Sequence, residues 1–168
     1  MHRSRAQRLI VFALLLVLSW IVMAFLHELG HLIGGWLGGG TLVDCELAPW
    51  RLPYSLHSPD PNPRLTLWAG PLVGVIVPVV AALIIRRRWA TFIADFCLIA
   101  NGCYLALAWL SGDRLLDTPR MLAAGIHPLA IAVYCAITIG IGYPRFRNDC
   151  QDRLATAPPA PLVERQNA

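Results

Sequence analysis

Charged residues are scarce and lysine is absent: Asp, Glu, Lys and Arg make up 14% of the 168 residues, and all 14 basic positions are arginine. At 57% hydrophobic residues and a mean hydropathy of +0.56, the chain is too apolar for an ordinary water-soluble domain and too interrupted for a single anchor. No two of its five cysteines (Cys45, Cys97, Cys103, Cys135, Cys150) have CxxC spacing, and most lie in apolar segments. That excludes a disulfide framework and a thiolate zinc site, leaving them as small packing residues. A net charge of +4 comes with no nucleic-acid-binding motif, so no nucleic-acid partner is expected.

What the chain does contain is apolar length. Four stretches are long enough to cross a bilayer: Leu9 to about Leu26 and on through residue 31, Leu65 to Ile85, Trp89 to Leu110, and Ile126 to Tyr143. The expected class is an all-α polytopic membrane protein with about four transmembrane helices, forming one integral domain over residues 1–143. The N-terminus has the basic flank of a signal peptide, but its apolar run is too long and no small-x-small cleavage site follows, so it reads as a retained helix. Arginines set the orientation. Arg3, Arg5 and Arg8 precede the first span, Arg86 to Arg88 follow the second, and Arg145, Arg147 and Arg153 follow the fourth, which by the positive-inside rule places both termini in the cytoplasm. Trp68, Trp89 and Trp109 fall at span ends, where interfacial indoles are expected. Residues 144–168 are polar and rich in Ala and Pro, and are expected to form a disordered cytoplasmic tail. The all-arginine basic set suggests compositional bias and a bacterial cell membrane.

Residues 27 to 31 read His-Glu-Leu-Gly-His. On a helix, positions i and i+4 share a face, so His27 and His31 can offer two imidazole nitrogens to one zinc ion with Glu28 beside them as a base. Ionisable groups at membrane depth are costly and read as a functional site. With the N-terminus inside, His27 lies about 27 Å along the helix from Leu9, near the outer edge of a hydrocarbon core about 30 Å thick. Gly70 and Pro71, early in the second span, return to that depth, and the third span ends at Leu110 to deliver Asp113 and Asp117 there as well. A catalytic zinc needs a third protein ligand. Helix spacing alone does not choose between Asp113 and Asp117, and His57 is a further candidate in a proline-rich loop. Asn101, within the third span, is a candidate for orienting substrate backbone or for an interhelical hydrogen bond. Gly70 and Pro71 can free backbone groups near the metal for substrate binding. Gly30, Gly34 and Gly38, like Gly70 and Gly74, recur every four residues, a signal for close helix packing. Asp95 lies nearer the cytoplasmic end, where it can pair with the adjacent arginines. Between the first two spans, Thr41 to Leu47 alternates well enough for a short β element.

These motifs, in order, resemble the site-2 protease type of intramembrane zinc metalloprotease, peptidase family M50. The resemblance covers roughly residues 20 to 127. It rests on HELGH at the end of the first core span, Ala69-Gly70-Pro71-Leu72-Val73-Gly74 opening the next, and Leu116-Asp117-Thr118-Pro119-Arg120-Met121-Leu122 after a third. The last segment is similar to the family's Leu-Asp-Gly-Gly-Arg-Ile-Leu pattern, with Thr118 where the family has glycine. The resemblance implies Asp117 as the third ligand to one zinc ion, Glu28 as the catalytic base, and a β element at the site's mouth. The activity it implies is endoproteolysis of membrane-spanning protein substrates within the lipid bilayer. The alternative readings are a non-catalytic metal-binding or ion-translocating membrane protein, or an inactive family member.

Overall fold

The computed structural model describes residues 4–51 and 53–155. In chain order its elements are α1 (Arg5–Leu37), β1 (Leu42–Glu46), β2 (Tyr54–His57), α2 (Pro63–Ile85), α3 (Arg88–Ser111), α4 (Asp117–Ala123) and α5 (Pro128–Leu154). Four helices, α1, α2, α3 and α5, are long and apolar enough to cross a membrane. Their starts follow from local chemistry. Ser4 caps α1 in a reciprocal box with Gln7. Pro63 and Pro128 open α2 and α5, where the missing N–H costs nothing. The His127 ring accepts a hydrogen bond from the Leu129 amide at the head of α5.

The bundle is apolar outside and polar within. Leu83 is 68% exposed and Leu110 83% exposed, whereas Ser19, His27, His31, Thr66, Asn101 and Thr118 are buried. An outer surface so rich in large apolar side chains suits lipid rather than water as solvent.

Glycines decide how near the helices come. A Cβ on Gly30 would run into the Ala69 carbonyl, and one on Gly34 into the Ala69 methyl and within 3.1 Å of the Thr66 backbone. Thus α1 and α2 pack antiparallel, backbone against backbone, as the four-residue glycine spacing implies. On the far side, α3 and α5 approach in the same way. Gly142 has no room for a Cβ beside the Ile99 backbone, and the Thr138 hydroxyl occupies the space beside Gly102.

Two expectations change. The β element is a hairpin, with β1 antiparallel to β2 and Cys45 opposite Ser55. The second strand lies in the proline-rich stretch, whose composition hides it. The fourth helix does not stop at Tyr143 but passes through Pro144 to Leu154. Its added turns are held by tertiary contacts rather than propensity. Arg145 Nε donates to Asp95 Oδ1 at 2.7 Å, Phe146 packs on Phe92 and Phe96, and the Arg153 guanidinium sits 4.7 Å over the Phe92 ring while donating to the Arg88 carbonyl. Asp95 therefore pairs with an arginine far along the chain instead of its neighbours in sequence. The remainder of the expected disordered tail, residues 156–168, lies outside the described residues.

Gly34→Ala should destabilise the protein by roughly 1–3 kcal/mol through overpacking against α2. Gly140→Ala, at a helical glycine with nothing near its missing Cβ, should be neutral or stabilising by up to about 1 kcal/mol. Thermal unfolding of both variants in detergent micelles checks the pair; equal stabilities would show that the α1–α2 approach is not tight.

Candidate metal centre

His27 and His31 lie one turn apart on the inward face of α1, and their ligand atoms and those of Glu28 fall within 4.8 Å of one another. Asp117, the first residue of α4, meets both histidines. Its Oδ2 is 2.8 Å from His27 Nε2 and 3.1 Å from His31 Nε2, and the two nitrogens are 3.1 Å apart. All three side chains are buried.

The protons on these rings are assigned by what lies behind them. Asn101 is fully buried, and its Nδ2 donates to the carbonyls of Cys97 at 2.9 Å and Gly74 at 3.3 Å. That fixes the amide orientation, so Oδ1 faces His27 Nδ1 at 2.8 Å and must accept from it. His31 Nδ1 donates in the same way to the Thr66 carbonyl at 2.8 Å. Both rings thus commit Nδ1 to donation and turn Nε2 inward, where it offers a lone pair to a cation whenever it carries no proton. Two imidazole nitrogens and a carboxylate oxygen, 2.8 to 3.1 Å apart, need positive charge among them, which a proton or a metal ion supplies.

The donor set fits a zinc ion. A triangle with these edges has a point off its plane roughly 2.0–2.1 Å from all three atoms, which is the bond length zinc makes to imidazole and carboxylate. Asp117 is held in this place by its neighbours. The Thr118 hydroxyl, itself fully buried, donates to the Leu105 carbonyl at 2.7 Å, and Met121 is embedded in a cluster with Leu67, Leu105, Ile126 and Ile131. The chain reaches α4 because Gly112 ends α3 with φ +66°, a left-handed turn that suits glycine. Arg120 stands 3.9 Å from the other Asp117 oxygen.

The other candidates separate clearly. Asp113 is exposed and accepts from the Leu115 amide at 3.0 Å in a local turn, away from the histidines. His57 is on β2, its ring against Gly35 rather than among the three donors. Asn101 has every polar atom committed to His27 and to two carbonyls, which makes it a support for the histidine and leaves no group for substrate backbone. Gly70 provides the space in which the His31 ring lies, and the Pro71 carbonyl accepts from Tyr134 Oη at 2.8 Å, so both shape the site from behind. Glu28, 9% exposed, is not part of the triangle, and Ser55 on β2 donates its hydroxyl to Glu28 Oε2 at 3.4 Å.

Sequence reading did not single out Thr66, Ser55, Tyr104 or the structural part played by Thr118. Thr66 contributes only a main-chain carbonyl, which any residue would supply, so no residue type marks it. Tyr104, whose ring meets His27 edge-on at 5.2 Å, does leave a signal: it follows Asn101 by three residues and so shares its helix face.

No protein-family model matches this chain, and no curated protein or solved structure matches it either.

Asn101→Ala should weaken zinc binding about 10- to 100-fold by releasing the His27 ring. Asp117→Ala should lose tight binding, and Asp113→Ala should match the unaltered protein. Competition with a chromophoric chelator measures all three; unchanged affinity in Asp117→Ala would remove that residue from the ligand set.

Proposed function

We propose that this chain is a zinc-dependent intramembrane endopeptidase of the site-2 protease type, lying in a bacterial cell membrane with both termini cytoplasmic and cutting membrane-spanning protein substrates. The observation that carries the reading is the meeting of His27 Nε2, His31 Nε2 and Asp117 Oδ2, drawn from α1 and α4 to within 3.1 Å of one another, with the Glu28 carboxylate next to them and apolar helices around them.

Zinc bound by His27, His31 and Asp117 would supply Lewis acidity toward a peptide carbonyl and toward water at neutral pH. Glu28 performs the proton work. The Ser55 hydroxyl donates to Oε2 at 3.4 Å and orients the carboxylate, which takes the proton of the attacking water and returns it to the leaving amine nitrogen. Asn101 and the Thr66 carbonyl hold the imidazoles in one tautomer and orientation throughout. Apolar walls lower the local dielectric and strengthen each electrostatic contact at the site. A substrate helix has its carbonyls hydrogen-bonded along its own axis, so the segment to be cut must first unwind. Substrates with helix-weakening Gly or Pro near the cut should therefore be cleaved faster than fully helical ones.

Glu28→Gln decides between catalysis and plain metal binding. The variant should keep its zinc while proteolysis of membrane peptides falls by about 10² to 10⁴. Metal content by mass spectrometry and product formation from a Gly/Pro-softened membrane peptide give the two readouts. Equal turnover by Glu28→Gln and the unaltered protein would remove Glu28 as the base, and ion transport retained by both with no proteolysis by either would favour a non-catalytic metal-binding or ion-translocating protein instead.

A further inference from the structure

One recess opens directly on the candidate centre. A cavity of about 170 Å³ is bounded by His27 and Glu28 and otherwise by Trp20, Met23, Ala24, Arg51, Pro53 and Tyr104. A larger groove of about 420 Å³, between α2, α3 and α5, shares none of these residues and runs along the outer, apolar side of the bundle beside Asp95 and Arg145.

The small cavity has a definite origin in sequence. Trp20, Ala24 and Glu28 follow at i, i+4 and i+8 along one stripe of α1, with Met23 and His27 on the adjoining stripe. Between the large Trp20 ring and the Glu28 carboxylate stands only a methyl group, and the gap so left is the floor of the cavity. Tyr104 closes one side from α3, its ring edge-on to His27. The loop between β1 and β2 closes the other side, held to α1 by the Trp20 indole, which donates to the Pro49 carbonyl at 3.2 Å.

We propose that this cavity is a specificity pocket that receives one apolar side chain, of the size of Leu, Met or Phe, from the substrate residue next to the bond being cut. The proposal rests on the endopeptidase reading above. Its volume is below the roughly 300 Å³ at which small-molecule sites begin, so a single side chain is its natural occupant. Its walls are apolar except for the reacting groups and Arg51. Arg51 is turned toward Glu46, its Nη1 donating to Oε2 at 3.0 Å, which lessens its pull on an acidic side chain in the pocket. Ala24 is the residue whose size sets the pocket's depth.

The test has a cleavage arm and a binding arm. Zinc-loaded protein in detergent micelles is given a randomised library of membrane-spanning peptides, and the products are sequenced by mass spectrometry. The same library is photo-crosslinked to zinc-loaded Glu28→Gln protein, which should bind without cutting. One position flanking the cut should favour Leu, Met or Phe over Ala by about 10-fold or more in both arms. Ala24→Leu should reverse that preference toward Ala and Gly while keeping its zinc, with Ala24→Val as the milder change should the larger one fail to fold. Cleavage with no side-chain preference, a preference for Asp or Glu, or an unaltered preference in a folded Ala24 variant would overturn the pocket and leave the endopeptidase reading standing. Selective crosslinking without any cleavage would support the pocket and overturn the endopeptidase reading. Absence of both overturns the pocket.

Discussion

Each of the two imidazoles at the centre of this bundle has one nitrogen tied to an acceptor on a neighbouring helix, and the geometry of the site depends on that constraint. Asn101 on α3 holds His27 and the Thr66 carbonyl on α2 holds His31, both through Nδ1. The consequence is chemical as well as geometric, because a ring that donates from Nδ1 leaves Nε2 as the atom that can turn a lone pair inward. Were either acceptor withdrawn, the ring could rotate or change tautomer, and the convergence of the two Nε2 atoms on Asp117 would be lost.

Backbone chemistry of α2 makes these supports possible. Pro78 has no N–H, so the Gly74 carbonyl four residues earlier has no helical partner, and the Asn101 amide takes it. Glycines at 30, 34, 70 and 74 bring the helix axes close enough for a side chain on one helix to reach the main chain of another. The helix-breaking residues of this chain are therefore part of its polar wiring. In an apolar surrounding, each carbonyl that proline releases must find a donor within the protein, and here that donor orients a histidine.

At the opposite end of the bundle, the same economy of charge governs the extension of α5. Buried Asp95 would be costly alone, and Arg145 satisfies it from a helix that begins more than thirty residues later. That pair, with the Phe92, Phe96 and Phe146 rings and the Arg153 guanidinium, anchors turns whose composition resembles a solvated tail. Cys97 and Cys135 are buried as small packing groups.

Local and periodic information was legible in the residues themselves: the four apolar spans, the i, i+4 placement of His27 and His31, the adjacency of Glu28, and the glycine repeats that mark close helix contact. These follow from helix geometry and from the cost of exposing backbone to lipid, which act on any chain with this pattern. Spacing could not decide which of Asp113 and Asp117 meets the histidines, reveal that Asn101 holds the His27 ring, or extend α5 past Pro144. Those outcomes depend on which groups from separate helices come within hydrogen-bonding distance. A carboxylate four residues nearer or farther along the chain is equivalent until the Thr118 hydroxyl and the buried Met121 side chain lock α4 against α3. Only the packed bundle supplies that lock, because the partners it joins are distant in sequence and meet only when the apolar helices close around them.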